Sequence, residues 1–229
     1  MADSNNVKGK ADVIFLLDVT DSMDYCIEAV KKNIEIFVNE LQEKKVDWRA
    51  RIIGFRNCDV DGDDWWDGDK SPFTSDVNEL KKQLAEKHAS GGSPDYFEES
   101  VLDALYMVAN MEVSTKLPPS TLAWRPTGHA AKCVILFTDY GCQNYVSCVD
   151  GNLTQDEVVK ALQLSRIRLR IIAPTFECYE NLGENQGIIY EDCGPHEDFA
   201  ERIRNADYFA SIIRDFARTV TASATVEMN

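Results

Sequence analysis

The stretch DVIFLLD, residues 12–18, decides the fold prediction. Its five consecutive apolar residues form a run suited to a strand that is buried on both faces, as in the interior of a parallel sheet. KCVILFTD, residues 132–139, repeats the pattern of an apolar run followed by an aspartate. The chain therefore contains two candidate central strands, each followed by a carboxylate.

Amphipathic helices alternate with such strands along the chain. Apolar residues three and four positions apart predict a helix over residues 27–41, and a second strand follows at residues 48–55. The remaining predicted elements are helices at residues 77–87, 98–111, 154–164 and 206–221 and strands at residues 168–173 and 187–191. This alternation predicts an α/β fold with an open, mostly parallel sheet covered by helices on both faces.

Length and composition indicate a single domain, because no composition break divides the 229 residues. We predict the domain at residues 11–222, with polar tails at residues 1–10 and 223–229. No apolar run approaches the ~20 residues that a membrane span needs, so no membrane association is expected. The N-terminus lacks the features of a signal peptide. The chain is therefore expected in the cytoplasm, unless it follows a route that leaves no signal in the sequence.

The charge balance argues against nucleic acid as a partner. Asp and Glu number 39 against 24 Lys and Arg, which gives a formal charge of −15, and such a surface repels phosphate backbones. The only compact basic alternation is RIRLR, residues 166–170. Its period of two is typical of the solvated face of a strand.

Cysteine and histidine patterns do not predict a zinc site. The seven cysteines lack the CxxC spacing of such sites, and in a cytoplasmic chain they are expected to be reduced, structural thiols. Cys133 falls inside a predicted strand and is expected in the core. No histidine forms a recognisable acid–base or ligand pair, so all three are interpreted as structural: His88, His129 and His196.

Oxygen-bearing side chains follow the two central strands. In open α/β sheets the ligand site lies beyond the carboxyl ends of the strands, and Asp18 and Asp139 both fall there. Thr20 and Ser22 follow Asp18 at alternate positions. Hydroxyl and carboxylate oxygens are the ligands that Mg²⁺ prefers, and buried carboxylates are costly without a positive partner. The sequence therefore indicates a cation site, although each aspartate could instead cap a helix.

Three segments resemble the metal-ion-dependent adhesion site (MIDAS) of von Willebrand factor A-type (VWA) domains. DVTDSM, residues 18–23, is similar to the first motif, ASGGSPDYFEESVLDAL, residues 89–105, to the second, and VILFTD, which ends at residue 139, to the third. The resemblance covers residues 11–222. It is nearest to the intracellular, alpha-kinase-associated and bacterial signalling members of the family.

The resemblance implies which residues hold the metal. Its metal ligands would be Asp18, Thr20, Ser22 and Asp139, direct or through water. In the second motif the ligand would be Ser93, which follows Gly91 and Gly92, with Asp95 as the alternative. The implied metal is Mg²⁺, with Mn²⁺ or Ca²⁺ also possible.

The resemblance also implies the fold in detail and the function. It implies a doubly wound, Rossmann-like three-layer sandwich with a six-stranded sheet, one edge strand of which is antiparallel. The implied function is non-enzymatic signalling through protein–protein interaction, in which the metal coordinates an Asp or Glu of a partner protein. The alternative is a Mg²⁺-dependent phosphohydrolase or phosphotransferase. The sequence pattern of such enzymes needs a second aspartate at the position that Thr20 occupies in this chain.

An acidic loop, CDVDGDDWWDGDKSPF at residues 58–73, separates the second strand from the next helix. Its alternate aspartates resemble a calcium loop, but Asp64 and Lys70 stand at the sixth and twelfth positions, where an EF-hand has Gly and Glu. The loop is therefore interpreted as a solvated insertion. Trp65 and Trp66 within it either pack back on the domain or anchor a partner protein.

Overall fold

A parallel sheet of five strands lies at the centre of the computed structural model, which describes residues 9–91, 98–149 and 152–226. The strands of the described residues are β1 Gly9–Asp18, β2 Val46–Phe55, β3 Glu98–Glu99, β4 Ala131–Phe137, β5 Gly141–Cys142, β6 Tyr145–Val146, β7 Leu153–Thr154, β8 Ile167–Ala173 and β9 Ile188–Asp192. The central sheet has the order β2-β1-β4-β8-β9, and every neighbouring pair in it is parallel. The two outer pairs, β3-β5 and β6-β7, lie apart from it.

Helices cover both faces of this sheet, which confirms the α/β sandwich. They are α1 Asp24–Glu43, α2 Cys58–Asp61, α3 Val77–Ala85, α4 Val101–Ala109, α5 Gln155–Leu164, α6 Glu177–Gly183, α7 His196–Arg204 and α8 Ala206–Val226, with 3-10 turns at Asp21–Met23 and Gly62–Asp64. Buried residues of α1, α3, α7 and α8 form one core, and those of α4, α5 and α6 form the other. No helix in the described part of the chain is long and apolar enough to cross a membrane.

The central strand β1 supplies side chains to both cores. Phe15 lies in the first core, where its ring centroid is 5.1 Å from that of Phe37 and 6.1 Å from that of Phe216. Ile14 and Leu16 point the other way into the second core. Since successive side chains of a strand face opposite sides, the continuous apolar run buries both faces of the strand, as predicted.

The outer edge of β2 differs from the prediction of an antiparallel sixth strand. In the described residues the central sheet has five strands, and two isolated antiparallel bridges, Ala50 to Thr74 and Phe55 to Trp66, lie along this edge. Between the two bridges the chain turns at residues 67–70, where the Lys70 N–H donates to the Asp67 carbonyl at 2.9 Å. Pro72, which has no N–H to donate, follows this turn. A continuous ladder therefore cannot form.

Several helix boundaries also differ from the prediction. The helix expected over residues 98–111 is α4, which begins at Val101 because the preceding residues pair as β3 with β5. Helices α6 and α7 were not predicted, although Phe199 and Ile203 of α7 are both buried at a spacing of four. Helix α8 runs to Val226, beyond the predicted end at residue 221.

Two disulfides contradict the expectation that the cysteines are reduced. They join Cys58 to Cys148 and Cys142 to Cys178. The partners are 90 and 36 residues apart in the sequence, so no local spacing identifies them. The other three cysteines are buried: Cys26, Cys133 and Cys193. Cys133 lies in the first core, as predicted.

Candidate metal centre

The carboxylates at the ends of β1 and β4 lie at the same edge of the sheet. The two strands are parallel neighbours, and Leu17 is in register with Phe137. Asp18 is fully buried and Asp139 is 3% exposed. The Thr138 hydroxyl donates to the Asp18 carboxylate at 2.9 Å and so links the two strand ends. The structure thus brings together the two aspartates that the sequence singled out.

Two hydroxyl groups connect these carboxylates. Both the backbone N–H and the hydroxyl of Thr20 donate to Asp18, at 2.9 and 2.6 Å. The hydroxyl oxygens of Thr20 and Ser22 are 3.4 Å apart, and the Ser22 hydroxyl donates to Asp139 at 3.1 Å. The 3-10 turn that begins at Asp21 makes this possible by folding the chain back after the strand. Side-chain oxygens from four of the five predicted residues therefore form one continuous cluster.

Burial sets the electrostatics of this cluster. Desolvation, followed by the charge of Asp139, raises the pKa of Asp18 to about 7. Burial also raises the pKa of Asp139, although the hydrogen bond from Ser22 opposes that shift. In the described structure no lysine or arginine forms an ion pair with either aspartate. The hydrogen bonds to both carboxylates come from neutral donors, and His196 is the one basic side chain whose charge favours the ionised form of Asp139 among the described residues.

Glu99 is a third acidic residue near this cluster, and the sequence did not predict this position. The parallel pairing of Glu99 with Cys142 places it beside the chain that leaves Asp139. Glu99 is 8% exposed, and no described residue forms a hydrogen bond with its Oε2. Burial, followed by the charges of Asp18 and Asp139, raises its pKa to about 10. Sequence offered no signal, because a predicted helix start at residue 98 put Glu99 on an ordinary first turn.

The side chains present fit a hard divalent cation. Carboxylate and hydroxyl oxygens converge with an unpartnered carboxylate oxygen of Glu99 nearby, and Mg²⁺ prefers oxygen ligands of this kind. Ser93 and Asp95, the two candidates from the second motif, lie outside the described residues. The loop that leads to them does reach the site. Ser90 donates its N–H to the Val19 carbonyl at 2.9 Å, and the Gly91 carbonyl accepts from Asp21 at 3.4 Å.

Gly91 is a position where the backbone requires glycine. Its φ is +82°, which side-chain-bearing residues rarely adopt. A Cβ added there would also collide with the carboxylate of Asp61. The glycine therefore allows the second-motif loop to pass close to the acidic loop beside the site.

A second group of possible metal ligands lies in the segments after β2 and β6. The ligand atoms of Cys58, Asp59 and Cys148 all lie within 4.8 Å of one another. However, the two cysteines are joined in a disulfide, and metal coordination by cysteine requires the thiolate. This group is therefore a cross-link rather than a metal site.

The side chains around Asp139 hold its backbone and carboxylate in place. The Tyr25 hydroxyl donates to the Asp139 carboxylate at 3.4 Å, and Nδ1 of His196 lies 2.5 Å from the Asp139 backbone oxygen. The His196 ring also packs on Tyr140, with 4.6 Å between the centroids. The His196 ring thus contacts the backbone of Asp139 at the end of the strand, which agrees with a structural role.

The acidic loop is folded, and its two tryptophans pack on the domain. Trp65 and Trp66 are half-buried, their ring centroids are 5.7 Å apart, and both pack against the second core. Gly68 lies against the Trp66 indole so closely that an added Cβ would overlap the ring. Of the two interpretations that the sequence left open, the structure shows packing. A role for their remaining exposed edges in partner binding stays a prediction.

Comparison with known proteins places the fold. No family model matches the chain, and no curated protein sequence does. Among solved structures, the pilus adhesin SpaC from Lactobacillus rhamnosus GG in its open conformation has a TM-score of 0.56 at 12% identity, over 96% of this chain and 31% of that one. A second SpaC structure has a TM-score of 0.54 at 12% identity, over 95% of this chain and 31% of that one. This chain thus spans about a third of the adhesin's length.

The VWA domain of SpRpn10 is similar to the chain over most of its own length. Its TM-score is 0.52 at 9% identity, over 84% of this chain and 93% of that domain. At such identities the likeness concerns the fold alone. The protein therefore has a VWA-like fold, as the motifs implied.

Proposed function

We propose that the protein is a metal-dependent protein-binding module. Asp18, Thr20, Ser22 and Asp139 would hold Mg²⁺, directly or through water, as a MIDAS. The observation that carries this proposal is the continuous cluster of their oxygens at the end of two buried strands. Domains of VWA-like fold commonly mediate protein binding, and this site is the part of the described structure best suited to it.

The exposure of the four residues divides their roles. Asp18 and Thr20 are buried and fixed by their mutual hydrogen bonds, whereas Ser22 is exposed. A partner would therefore approach past Ser22, whose hydroxyl orients Asp139. When bound, Mg²⁺ would supply a positively charged position for a carboxylate oxygen of the partner. Because Thr20 and Ser22 are neutral, only the two aspartates among these four residues offset the charge of the ion.

The same residues favour binding over catalysis. Thr20 donates its hydroxyl to Asp18, whereas the phosphatase alternative requires an acid at that position. The partner should carry a single essential Asp or Glu with basic residues around it. The basic residues would match the acidic surface of this domain and act mainly on the association rate. Trp65 and Trp66 could add only the exposed parts of their half-buried rings.

The cysteines suggest the compartment. Disulfides persist in oxidising compartments and are rare in the cytoplasm. The two cross-links therefore support an oxidising compartment instead of the cytoplasm that the sequence predicted.

The experiment uses Mn²⁺ as the ion and a short blocked peptide with a single aspartate as the partner's carboxylate. Water-proton relaxation reports Mn²⁺ that is bound to protein and still holds exchangeable water. We expect the wild type to bind Mn²⁺ and the peptide to displace that water. The Asp139→Asn variant should lose the ion, and Ser22→Ala should lose the peptide response.

The matched control is Asp63→Asn, which removes the same charge from the exposed acidic loop. It should behave like the wild type. Equal Mn²⁺ binding by Asp139→Asn and the wild type would overturn the metal site. A normal ion signal that the peptide does not change would overturn carboxylate capture.

A further inference from the structure

A basic groove lies along β8, β9 and α8, far from the strand ends that carry Asp18 and Asp139. Its cavity has a volume of about 450 Å³. Leu169 points into the second core, so its neighbours Arg168 and Arg170 face the opposite side, towards α8. Ile189 is in register with Arg170 and lines the same groove. The groove thus exists because α8 leaves this part of the sheet face uncovered.

Of the three arginines in this groove, Arg166, Arg168 and Arg170, one forms an ion pair with a described acidic residue. Arg166 and Arg168 are exposed and form no ion pair with any described residue. Arg170 is 8% exposed and pairs with Glu191 at 2.7 Å, but no described residue accepts a hydrogen bond from its buried Nε. None of the described residues that line the groove is acidic. In a chain of formal charge −15, this is a local excess of positive charge.

Lys132 also lines the groove, but its ammonium lies elsewhere. Its Nζ is 5.7 Å from the centre of the Trp124 ring, and Trp124 belongs to the second core on the other face of the sheet. The charge of the groove is therefore that of the three arginines, partly balanced by Glu191.

We propose that this groove binds a small molecule that carries a phosphate monoester. Arginine presents a rigid fork of donors that matches phosphate oxygens, and Arg166 and Arg168 are exposed with no acidic partner among the described residues. Repulsion from acidic groups elsewhere is screened beyond ~8 Å at physiological salt. An anion at the groove therefore responds chiefly to the arginines.

The remaining walls indicate that the ligand has an apolar body as well. Ile189 is 45% exposed, and Ala222 of α8, which is also exposed, lies on the groove. A volume of about 450 Å³ falls within the roughly 300–1,000 Å³ typical of small-molecule sites. A bare phosphate ion would leave these apolar walls in contact with water, so a phosphate attached to an apolar group should bind more tightly.

The test is calorimetric titration of the whole protein with phenyl phosphate in the presence of EDTA, which removes any contribution of the metal centre. Inorganic phosphate, without the ring, and benzoate, with the ring but a single negative charge, are the comparison probes. We expect saturable binding with phenyl phosphate the tightest of the three. Arg168→Gln should weaken it about tenfold or more, as expected for the loss of a charge-assisted hydrogen bond.

The matched control is Arg218→Gln, because Arg218 is an exposed arginine of α8 outside the groove lining. It should leave binding unchanged. A second variant, Ile189→Glu, places a negative charge in the groove and should abolish binding. No binding by the wild type, an equal loss in Arg218→Gln, an unchanged affinity in Arg168→Gln, or benzoate binding as tightly as phenyl phosphate would each overturn the proposal.

Discussion

Asp12 and Asp18 stand at opposite ends of the apolar run of β1, and both are completely buried. Asp12 accepts two hydrogen bonds from the Arg49 guanidinium, each of 2.7 Å, and one from the Arg125 backbone N–H at 2.6 Å. Among the described residues, Asp18 accepts only from the Thr20 and Thr138 hydroxyls and the Thr20 backbone N–H. Asp12 thus forms ion pairs with arginine, whereas Asp18 forms none with any described residue.

This difference separates a structural carboxylate from a binding one. Arg49 also donates to the backbone carbonyls of Ser120 and Ala123, at 3.0 and 2.7 Å, so Asp12 joins two strands and a connecting loop. Its charge is neutralised within the protein. Asp18 lies beside Asp139 with its pKa raised, and a cation from solution is what could stabilise its charge.

The largest expected effect on stability comes from replacing Asp12, the carboxylate of β1 that forms an ion pair with Arg49. Asp12→Ala leaves the buried Arg49 without its carboxylate, and breaking a buried ion pair in this way costs roughly 3–5 kcal/mol. We expect urea denaturation to show that loss in the free energy of unfolding. Asp18→Asn in EDTA is the control and should be neutral or stabilising, because it removes an unfavourable charge. Equal losses in both variants would erase the distinction between the two ends.

The next effect concerns the disulfides, which lie at the Asp18 end. Cys142 is close in sequence to Asp139, and Cys58 follows β2. The paired replacement Cys58→Ser with Cys148→Ser should cost about 2–4 kcal/mol in unfolding free energy and weaken Mn²⁺ binding. Adding a thiol reductant to that double variant tests the second cross-link in the same way.

A thiol count supplies the control for this prediction. With both disulfides intact, only the three remaining cysteines should react with a thiol reagent in denaturant without reductant. Seven reactive thiols in freshly purified protein would contradict the cross-links and the oxidising compartment together.

Metal-induced stabilisation is expected to be slightly smaller. At a hundred times its dissociation constant, Mg²⁺ should add about 2.7 kcal/mol, seen as a higher melting temperature. Asp18→Asn should abolish this increase, whereas Asp63→Asn on the exposed acidic loop should preserve it. An increase of the same size in Asp18→Asn would place the ion elsewhere in the protein.

The smallest effect is that of pH on metal affinity. The folded-state pKa of Asp18 is raised from 3.8 to about 7, so this carboxyl group favours folding of the metal-free protein below 3.8. That stabilisation is lost as the pH rises through 7. Because the metal needs the ionised carboxylate, its affinity should rise by up to about tenfold per pH unit, or ~1.4 kcal/mol, and level off above pH 7.

The measurement is Mn²⁺ affinity between pH 5 and 8 for the wild type and Asp139→Asn. The variant should bind too weakly at every pH to show the rise. An affinity of the wild type that is constant across this range would mean that the proton on Asp18 does not compete with the ion.

Sequence predicted the parts of this molecule that depend on local pattern. The run of residues 12–18 determined the central strand, and the carboxylates and hydroxyls after it could be placed at one edge because parallel strands end together. Asp12 and Asp18 nevertheless look alike in sequence, because the two arginines that pair with Asp12 are distant from it in sequence: Arg49 comes from β2 and Arg125 from the loop before β4.

What sequence missed depends on contacts between distant segments. The approach of Glu99 to the site rests on the two-residue pairing of β3 with β5, and the disulfides rest on the fold of the loops. The alternation of residues 166–170 correctly gave a strand with a basic face. However, only the packing of α8 shows that this face lines a groove. The prediction of a sixth strand was wrong because a turn and a proline interrupt the pairing along the outer edge of β2.

The all-parallel sheet also affects how the chain folds. Ala11 of β1 is in register with Ala131 of β4, so this first strand meets one neighbour only after about 120 further residues have been made. At a synthesis rate of ~5–20 residues per second, that takes on the order of ten seconds. During this time β1 can pair only with β2, and its other edge, which later pairs with β4, stays open to aggregation. A chaperone that shields the nascent β1 should therefore raise the yield of folded protein more than one acting after release from the ribosome.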